Sequence, residues 1–193
     1  VPTVLSLAGI KVPKSVDGKP FLGKKLKKSK IERQNITFGY ADRFDEKYDL
    51  VRSIRKGKFK YIRNYEPFNV DGLYNFYRYK MLAYKEWYNL FQNGKLNEVQ
   101  SQFFKPRTPE ALYNIEEDPH ETNNLANDDN YNETLTGLRN ELNNHLISIN
   151  DLSFLPEPYL LKNGLDDIVS FSQRNGDLIK KLIDTCLLYT SPS

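Results

Sequence analysis

A loop of alternating charge, residues 41–46, is the part of this sequence best suited to bind a charged ligand. It places Arg43 among the carboxylates of Asp42, Asp45 and Glu46, directly after a segment with the pattern of a β-strand. Binding residues are commonly carried on loops, and the planar guanidinium of arginine pairs bidentately with a carboxylate or a sulfate. The alternative interpretation is that these charges pair with one another in a local salt-bridge network.

The two histidines lack the neighbours that catalysis or metal binding needs. His120 lies between Pro119 and Glu121, and no second histidine or cysteine lies at ligand spacing, which predicts a solvated turn residue. His145 falls beside the apolar stripe of a predicted helix, where a boundary residue is expected. Neither histidine is predicted to be a ligand or a catalytic group.

Charge and hydropathy argue against two classes of partner. The net charge is only +3, with basic residues crowded at 24–33 and acidic residues at 116–133. No aromatic interleaving or arginine-rich groove accompanies the basic run, so we predict no nucleic-acid partner. No apolar stretch approaches the ~18 residues of a transmembrane helix, so we predict no membrane partner. The sequence begins at Val1 without a methionine, so the lack of a visible signal peptide carries no information.

The elements around the loop follow strand and helix patterns. A strand pattern at 35–41 precedes two more at 48–55 and 59–64, which Gly57 joins into a tight antiparallel hairpin. A fourth, at 111–115, alternates its side chains as an edge strand does. Helical spacing predicts helices at residues 77–91, 96–104 and 132–149. Strands covered by one long helix predict an α+β fold, with a small antiparallel sheet of about four strands packed against that helix.

The longest predicted helix has one apolar stripe, formed by Leu135, Leu138, Leu142, Leu146 and Ile149. Beyond it, Pro156 and Pro158 predict a linker. Leucine-rich stretches at 165–171 and 178–183 predict two further helical pieces, which would form a partial helical segment.

The segment 111–126 predicts a structural device. After the edge strand, Asp118-Pro119 turns the chain, because proline fixes φ and biases the preceding residue away from the helical region. Asn124 and its neighbour Asn123 can satisfy backbone groups in the turn, and Leu125 can anchor the turn in the core. Nothing in the segment has the character of a nucleophile.

The same segment resembles a pattern near the C-terminus of the formylglycine-dependent sulfatases, members of the alkaline-phosphatase-like superfamily. The matching residues are Ala111, Leu112, Tyr113, Asn114, Ile115, Asp118, Pro119, Glu121, Asn124, Leu125 and Ala126. A second family pattern matches Arg52, Arg55, Lys60, Tyr61, Ile62, Asn64 and Pro67. A third matches Pro2, Thr3, Leu5, Leu7, Ala8, Gly9, Ile10, Pro13, Gly18, Phe21 and Leu22. The resemblance covers residues 1 to about 126.

This resemblance implies an enzyme that hydrolyses sulfate esters or sulfamates of sulfated carbohydrates. Sulfatases use a formylglycine made from the cysteine or serine of a C/S-x-P/A-x-R motif, together with a divalent cation, usually calcium. Cys186 lacks both the proline and the arginine of that motif. We therefore expect the catalytic centre, with its calcium and formylglycine, in an N-terminal domain missing here. No catalytic residue or metal ligand is assigned to this fragment, which is predicted to be inactive alone and to have that domain as its partner.

The resemblance also gives roles and a location. In related sulfatases the loop corresponding to 41–46 lies toward the mouth of the active site, so Arg43 is predicted to contact an anionic sugar and Asp45 to accept hydrogen bonds from sugar hydroxyls. The family implies a periplasmic or secreted protein.

The domain organisation follows from the same comparison. Residues 1–33 are predicted to end the catalytic domain, 34–150 to form the C-terminal subdomain, and 151–185 to be a linker and the start of a helical-repeat region. Residues 186–193 match the translation of a transposase adapter used in sequencing-library preparation, so we expect the natural sequence to continue differently past about residue 185.

Two other functions remain open from the sequence. One is a non-catalytic binding module or a gene remnant. The other, which the sulfatase patterns disfavour, is a phosphodiesterase of the same superfamily.

Overall fold

The computed structural model describes residues 1–23, 26–33, 35–43 and 45–190. A four-stranded antiparallel sheet of order β1-β2-β3-β4 packs one face against a long helix, α6. The strands are β1 Ile36–Ala41, β2 Val51–Lys56, β3 Phe59–Asn64 and β4 Glu110–Asn114. The helices are α1 Pro2–Leu7, α2 Lys28–Arg33, α3 Phe76–Tyr79, α4 Leu82–Gln92, α5 Glu98–Ser101, α6 Asn132–Ser148, α7 Glu157–Asn163, α8 Ile168–Arg174 and α9 Gly176–Thr190. The predicted α+β fold class is confirmed.

The sheet forms because alternating residues of three strands meet in one apolar row. Ile54 pairs with Tyr61, and Tyr61 pairs with Leu112. All three side chains are almost fully buried. The two-residue turn between β2 and β3 places Gly57 at φ +59°, where glycine carries no steric penalty. The predicted hairpin and the predicted edge strand are both confirmed.

Helix α6 covers this row with four buried leucines, Leu135, Leu138, Leu142 and Leu146. The prediction that Ile149 continues the stripe is wrong, because its side chain is 52% exposed. Helix α6 ends at Ser148, and Asn150 adopts a left-handed φ of +49° that turns the chain away. His145 lies at the edge of the stripe, as predicted, and stacks on the ring of Phe38 at 3.6 Å.

The three C-terminal helices pack onto the same core. Pro158 lies in the first turn of α7, a position that tolerates proline because the N–H there has no partner within the helix. Phe171 of α8 and Ile179 and Ile183 of α9 are buried in one cluster with the leucines of α6. The domain boundaries stay predictions, and residues 191–193 of the proposed adapter segment lie outside the described residues.

Two predicted helices are divided in the structure. Residues 77–91 contain the end of α3 and most of α4, and residues 96–104 contain α5 followed by a short 3₁₀ turn at Gln102–Phe104. Within the described residues, none of the helices combines the length and the apolar character that crossing a bilayer requires.

Candidate functional site

The segment after β4 holds the edge of the sheet in place. The side-chain oxygen of Asn124 accepts hydrogen bonds from the N–H groups of Leu112 at 2.9 Å and Ala126 at 3.0 Å. Its amide nitrogen donates to the hydroxyl of Thr108 and to the carbonyl of Glu110, each at 3.2 Å. One asparagine thus replaces the partner strand that an edge lacks.

The acidic turn within this segment is also built from hydrogen bonds to the backbone. Asp118 accepts the N–H groups of Thr122 at 2.7 Å and Asn123 at 2.8 Å. The hydrogen bond from Asn123 is the main cause that lowers the pKa of Asp118. His120 is exposed in this turn. The predicted structural role is confirmed for Asp118 and Asn124, whereas Asn123 contributes its main-chain N–H rather than its side chain.

A buried ion cluster lies where β3 and β4 meet α6. Glu110, only 5% exposed, accepts hydrogen bonds from Arg139 at 2.7 and 2.8 Å and from the Tyr61 hydroxyl at 2.5 Å. Arg63 Nη1 lies 3.2 Å from the same carboxylate. Burial alone would raise the pKa of Glu110, but the hydrogen bonds from Arg139 and Tyr61 outweigh it and lower the pKa. These charges serve the core and are closed to a ligand.

The base of the 41–46 loop is fixed by a second buried arginine. Arg52, 3% exposed, donates to Asp42 at 2.6 Å and to Asp151 at 2.6 Å, and Ser153 donates to Asp42 at 2.9 Å. Burial alone would lower the pKa of Arg52, whereas its hydrogen bonds to the two aspartates raise it. The alternation of side chains along β2 could have indicated that Arg52 is buried, since it lies two residues from the core residue Ile54 and so on the same face of the strand.

Arg43 extends from this fixed base toward solvent. Its Nη1 donates to both carboxylate oxygens of Glu157, at 2.8 and 2.6 Å, and its Nε donates to the main-chain carbonyl of Asp45 at 2.9 Å. The side chain of Arg43 remains 54% exposed and that of Glu157 45% exposed. The ion pair is therefore solvated, and a stronger anionic partner could displace Glu157.

Asp45 and Glu46 are fastened to the start of α3. The buried amide of Asn75 donates to Asp45 at 3.4 Å and to Glu46 at 3.2 Å. Glu46 also accepts the N–H of Phe76, and this hydrogen bond is the main cause that lowers the pKa of Glu46. Asp45 adopts a left-handed φ of +49° and stays exposed. Arg43 and Asp45 are thus joined by a hydrogen bond to the main chain of Asp45, and both side chains are exposed.

Two contributors to this loop were missed in the sequence. Asn75 caps α3 by accepting the N–H of Arg78, and an asparagine before an aromatic helix start is a recognisable capping signal. No sequence pattern indicated that Glu157 would pair with Arg43, because the two residues lie 114 positions apart. Phe44, between the two predicted binding residues, lies outside the described residues.

A polar groove of about 510 Å³ runs along the face of the sheet opposite α6. Three of the charged side chains that line it pair with one another: Arg107 donates to Asp49 at 2.6 and 2.9 Å and to Asp71 at 3.4 Å. Burial alone would raise the pKa of Asp49, whereas Arg107 and Lys47 lower it. We assign no ligand to this groove, because its buried charges, Asp49 and Arg107, already pair with each other.

The described residues do not fit a metal ion or a reactive cysteine. No three histidine, cysteine, aspartate or glutamate side chains among them are placed to share a cation. Cys186 is half-buried in α9, and burial raises the pKa of its thiol, which is opposite to the shift that activates a nucleophile. No reaction step is therefore derived through calcium or through this thiol.

Known proteins similar to this chain share one activity in their names. An ulvan-active sulfatase of Formosa agariphila is 41% identical over 161 residues, which are 83% of this chain and 26% of that protein. A second ulvan-active sulfatase of the same organism is 28% identical over 134 residues, 68% of this chain and 24% of that protein. The chain thus spans about a quarter of the length of these curated relatives.

Comparisons with solved structures and with protein-family models give weaker matches or none. A solved structure of BT4656 in complex with its substrate D-glucosamine-2-N,6-O-disulfate matches 75% of this chain and 22% of that chain, at a TM-score of 0.41 and 15% identity. No protein-family model matches the chain. The three sequence patterns and the identity of 41% over most of the chain agree, and they show that it belongs to the sulfatase family.

Proposed function

We propose that this chain is the C-terminal part of an enzyme that hydrolyses sulfate esters of ulvan or of a chemically similar sulfated carbohydrate. The observation that carries the proposal is the 41% identity to an ulvan-active sulfatase over 161 residues. The position of the matched motifs in the family supports the assignment to the C-terminal part.

In this proposal the catalytic centre lies outside the present sequence. A formylglycine and a divalent cation, usually calcium in the family, would belong to that other part of the protein, and the 193 residues alone would be inactive. A polysaccharide substrate favours a periplasmic or secreted protein.

Within this chain, Arg43 and Asp45 are proposed to contact the substrate. The side chain of Arg43 is 54% exposed, and a sulfate or carboxylate of the sugar could replace Glu157 as the partner of its guanidinium. The carboxylate of Asp45 is exposed beside it and suits the hydroxyls of a sugar. The anchors of the loop at Arg52 and Asn75 would preorganise both side chains.

The test is sulfate release by the complete gene product, recovered by sequencing the native locus on both sides of this segment. We expect free sulfate from ulvan and none from chemically desulfated ulvan, with the 193-residue chain as an inactive control. An upstream sequence without a C/S-x-P/A-x-R motif, and no sulfate release from any ester tried, would instead favour a non-catalytic binding module.

A further inference from the structure

A second candidate site lies between α3 and α4. It is a groove of about 590 Å³, within the size range of ligand pockets. Four aromatic rings and two lysines line it, and we call it the aromatic groove. They are Tyr74, Phe76, Tyr79, Tyr88, Lys80 and Lys85.

The rings of the groove are held in place yet reach solvent. Tyr79 donates its hydroxyl to the carbonyl of Gly72 at 2.7 Å, and the ring of Tyr74 stacks on it with centroids 5.3 Å apart. Tyr88 contacts the edge of Tyr79 at 5.6 Å. Nevertheless, Tyr74 is 62% exposed and Phe76 59% exposed. Exposed rings with fixed positions mark an interaction site rather than a core.

Helix α4 presents two faces with different roles. Trp87 and Phe91 pack on Phe103 and Phe104, with centroids 4.5 to 5.1 Å apart. The side that lines the groove carries residues with spacing i, i+3, i+4 and i+7, which are Lys85, Tyr88, Asn89 and Gln92. Tyr88 belongs to both sides, since its ring also lies 5.6 Å from that of Phe104. Lys85 is exposed on the groove side, so its substitution leaves the packing of α4 in place.

The polar groups of the groove favour an anion with hydroxyls. Among the described residues that line it, none is a carboxylate, whereas two are lysines and two are side-chain amides. Lys80 Nζ lies 4.2 Å from the centre of the Phe76 ring, so cation and ring face the same space. Flat rings suit the apolar faces of sugars, amides suit their hydroxyls, and ammonium groups suit sulfate or carboxylate.

We propose that the aromatic groove binds an anionic saccharide segment of the polymer, separate from the residue being hydrolysed. The choice of ligand rests on the proposed function. The groove adjoins the candidate substrate loop: Phe76 lines the groove, and its main-chain N–H donates to Glu46 of that loop. One polysaccharide chain could therefore occupy the groove and extend toward Arg43.

The test measures binding and turnover separately in the complete protein. Binding is followed by affinity electrophoresis in gels that contain ulvan or desulfated ulvan, and turnover by sulfate release from ulvan and from a small aryl sulfate. The variants are Lys85→Glu and Tyr74→Ala, with Lys162→Glu and Phe68→Ala as controls, since both control residues are exposed away from the groove.

We expect Lys85→Glu and Tyr74→Ala each to weaken binding to ulvan by roughly tenfold, the effect of about one lost contact. Turnover of the aryl sulfate should stay unchanged, KM for ulvan should rise, and added salt should weaken the wild-type binding. The control variants should bind as the wild type does.

Unchanged binding by Lys85→Glu overturns the inference, and so does equal wild-type binding to desulfated ulvan. If Tyr74→Ala fails to fold, Lys85→Glu alone decides, because an exposed lysine adds little to packing. If the complete protein releases no sulfate but the groove variants still lose ulvan binding, the proposed enzyme fails while the binding site stands.

Discussion

Arg43 and Glu157 join two segments that lie 114 positions apart, with Nη1 of the arginine 2.6 Å from a carboxylate oxygen of the glutamate. The pair connects the loop after β1 to the first turn of α7. Since both side chains are about half exposed, the pair itself contributes little to stability. In the proposed function, Glu157 occupies the place where an anionic substrate group would bind.

The two substitutions of this pair should act in opposite directions if Arg43 contacts substrate. In the complete protein, Arg43→Ala should lower kcat/KM for the polysaccharide by roughly tenfold, the equivalent of one charge-assisted hydrogen bond. Glu157→Gln should lower KM, because it frees the guanidinium. Initial-rate kinetics on ulvan would measure both, with Arg174→Ala as an exposed control. If both variants behave as the wild type, Arg43 serves only its ion pair with Glu157 and does not contact the substrate.

The side chain of Asn124 should contribute far more to the stability of the fold than the side chain of its neighbour Asn123. Asn124→Ala removes four hydrogen bonds at the edge of the sheet and should lower the free energy of unfolding by about 3 kcal/mol. Asn123→Ala is the matched control: its hydrogen bond to Asp118 is donated by the main-chain N–H, so a change below about 0.5 kcal/mol is expected. Urea denaturation would compare them, and equal losses would refute the role given to Asn124.

Removal of the Arg52 side chain should lower the free energy of unfolding more than most single substitutions do. Arg52→Ala leaves Asp42 and Asp151 without their shared cation and should destabilise the fold by about 3 kcal/mol or more. Arg55→Ala, on the opposite face of the same strand, loses a single hydrogen bond to Asn35 and should change stability little. Thermal unfolding of both variants provides the comparison. A mild effect of Arg52→Ala would mean that the base of the loop is held by other contacts.

Acid should weaken the fold partly through Glu110. The pKa of this carboxyl is lower in the folded state than its ordinary value of 4.5, so the folded state favours the ionised form. The stabilisation is therefore fully present above pH 4.5 and is lost as the pH falls through the folded pKa. In Glu110→Gln, the free energy of unfolding should be lower at neutral pH and should fall less steeply with acid.

The control for the acid experiment is Glu116→Gln, whose side chain is exposed. It should keep the wild-type pH dependence. If Glu110→Gln keeps it too, the carboxyl does not stabilise the folded state through its charge.

Several parts of the structure followed from local patterns. Gly57 between two alternating segments predicted the hairpin, and the leucine spacing from Leu135 to Leu146 predicted the helix that covers the sheet. The turn at Asp118 and the capping by Asn124 followed from the preference of these side chains for backbone partners. Each depends on residues within a few positions or on a simple period, so the sequence was sufficient.

The partners of the charges did not follow from local patterns. Arg43 is surrounded in sequence by Asp42, Asp45 and Glu46, yet its carboxylate partner is Glu157. The alternative interpretation of the sequence was a local network of these charges, but the carboxylate that pairs with Arg43 comes from a distant segment. Asp42 pairs with Arg52, and both also contact the segment after α6, Asp42 through Ser153 and Arg52 through Asp151.

By itself, the sequence determined the α+β class, the hairpin, the covering helix and, through its motifs, the sulfatase family. Periodicity and turn chemistry are local properties, so they can be recognised without knowing how distant segments pack. The tertiary structure alone decided that Arg43 meets Glu157, that Asn75 fastens the loop to α3, and that the aromatic rings of α3 and α4 leave an open groove. These relationships depend on distances through space between segments far apart in the chain, which only the packing of the sheet and helices fixes.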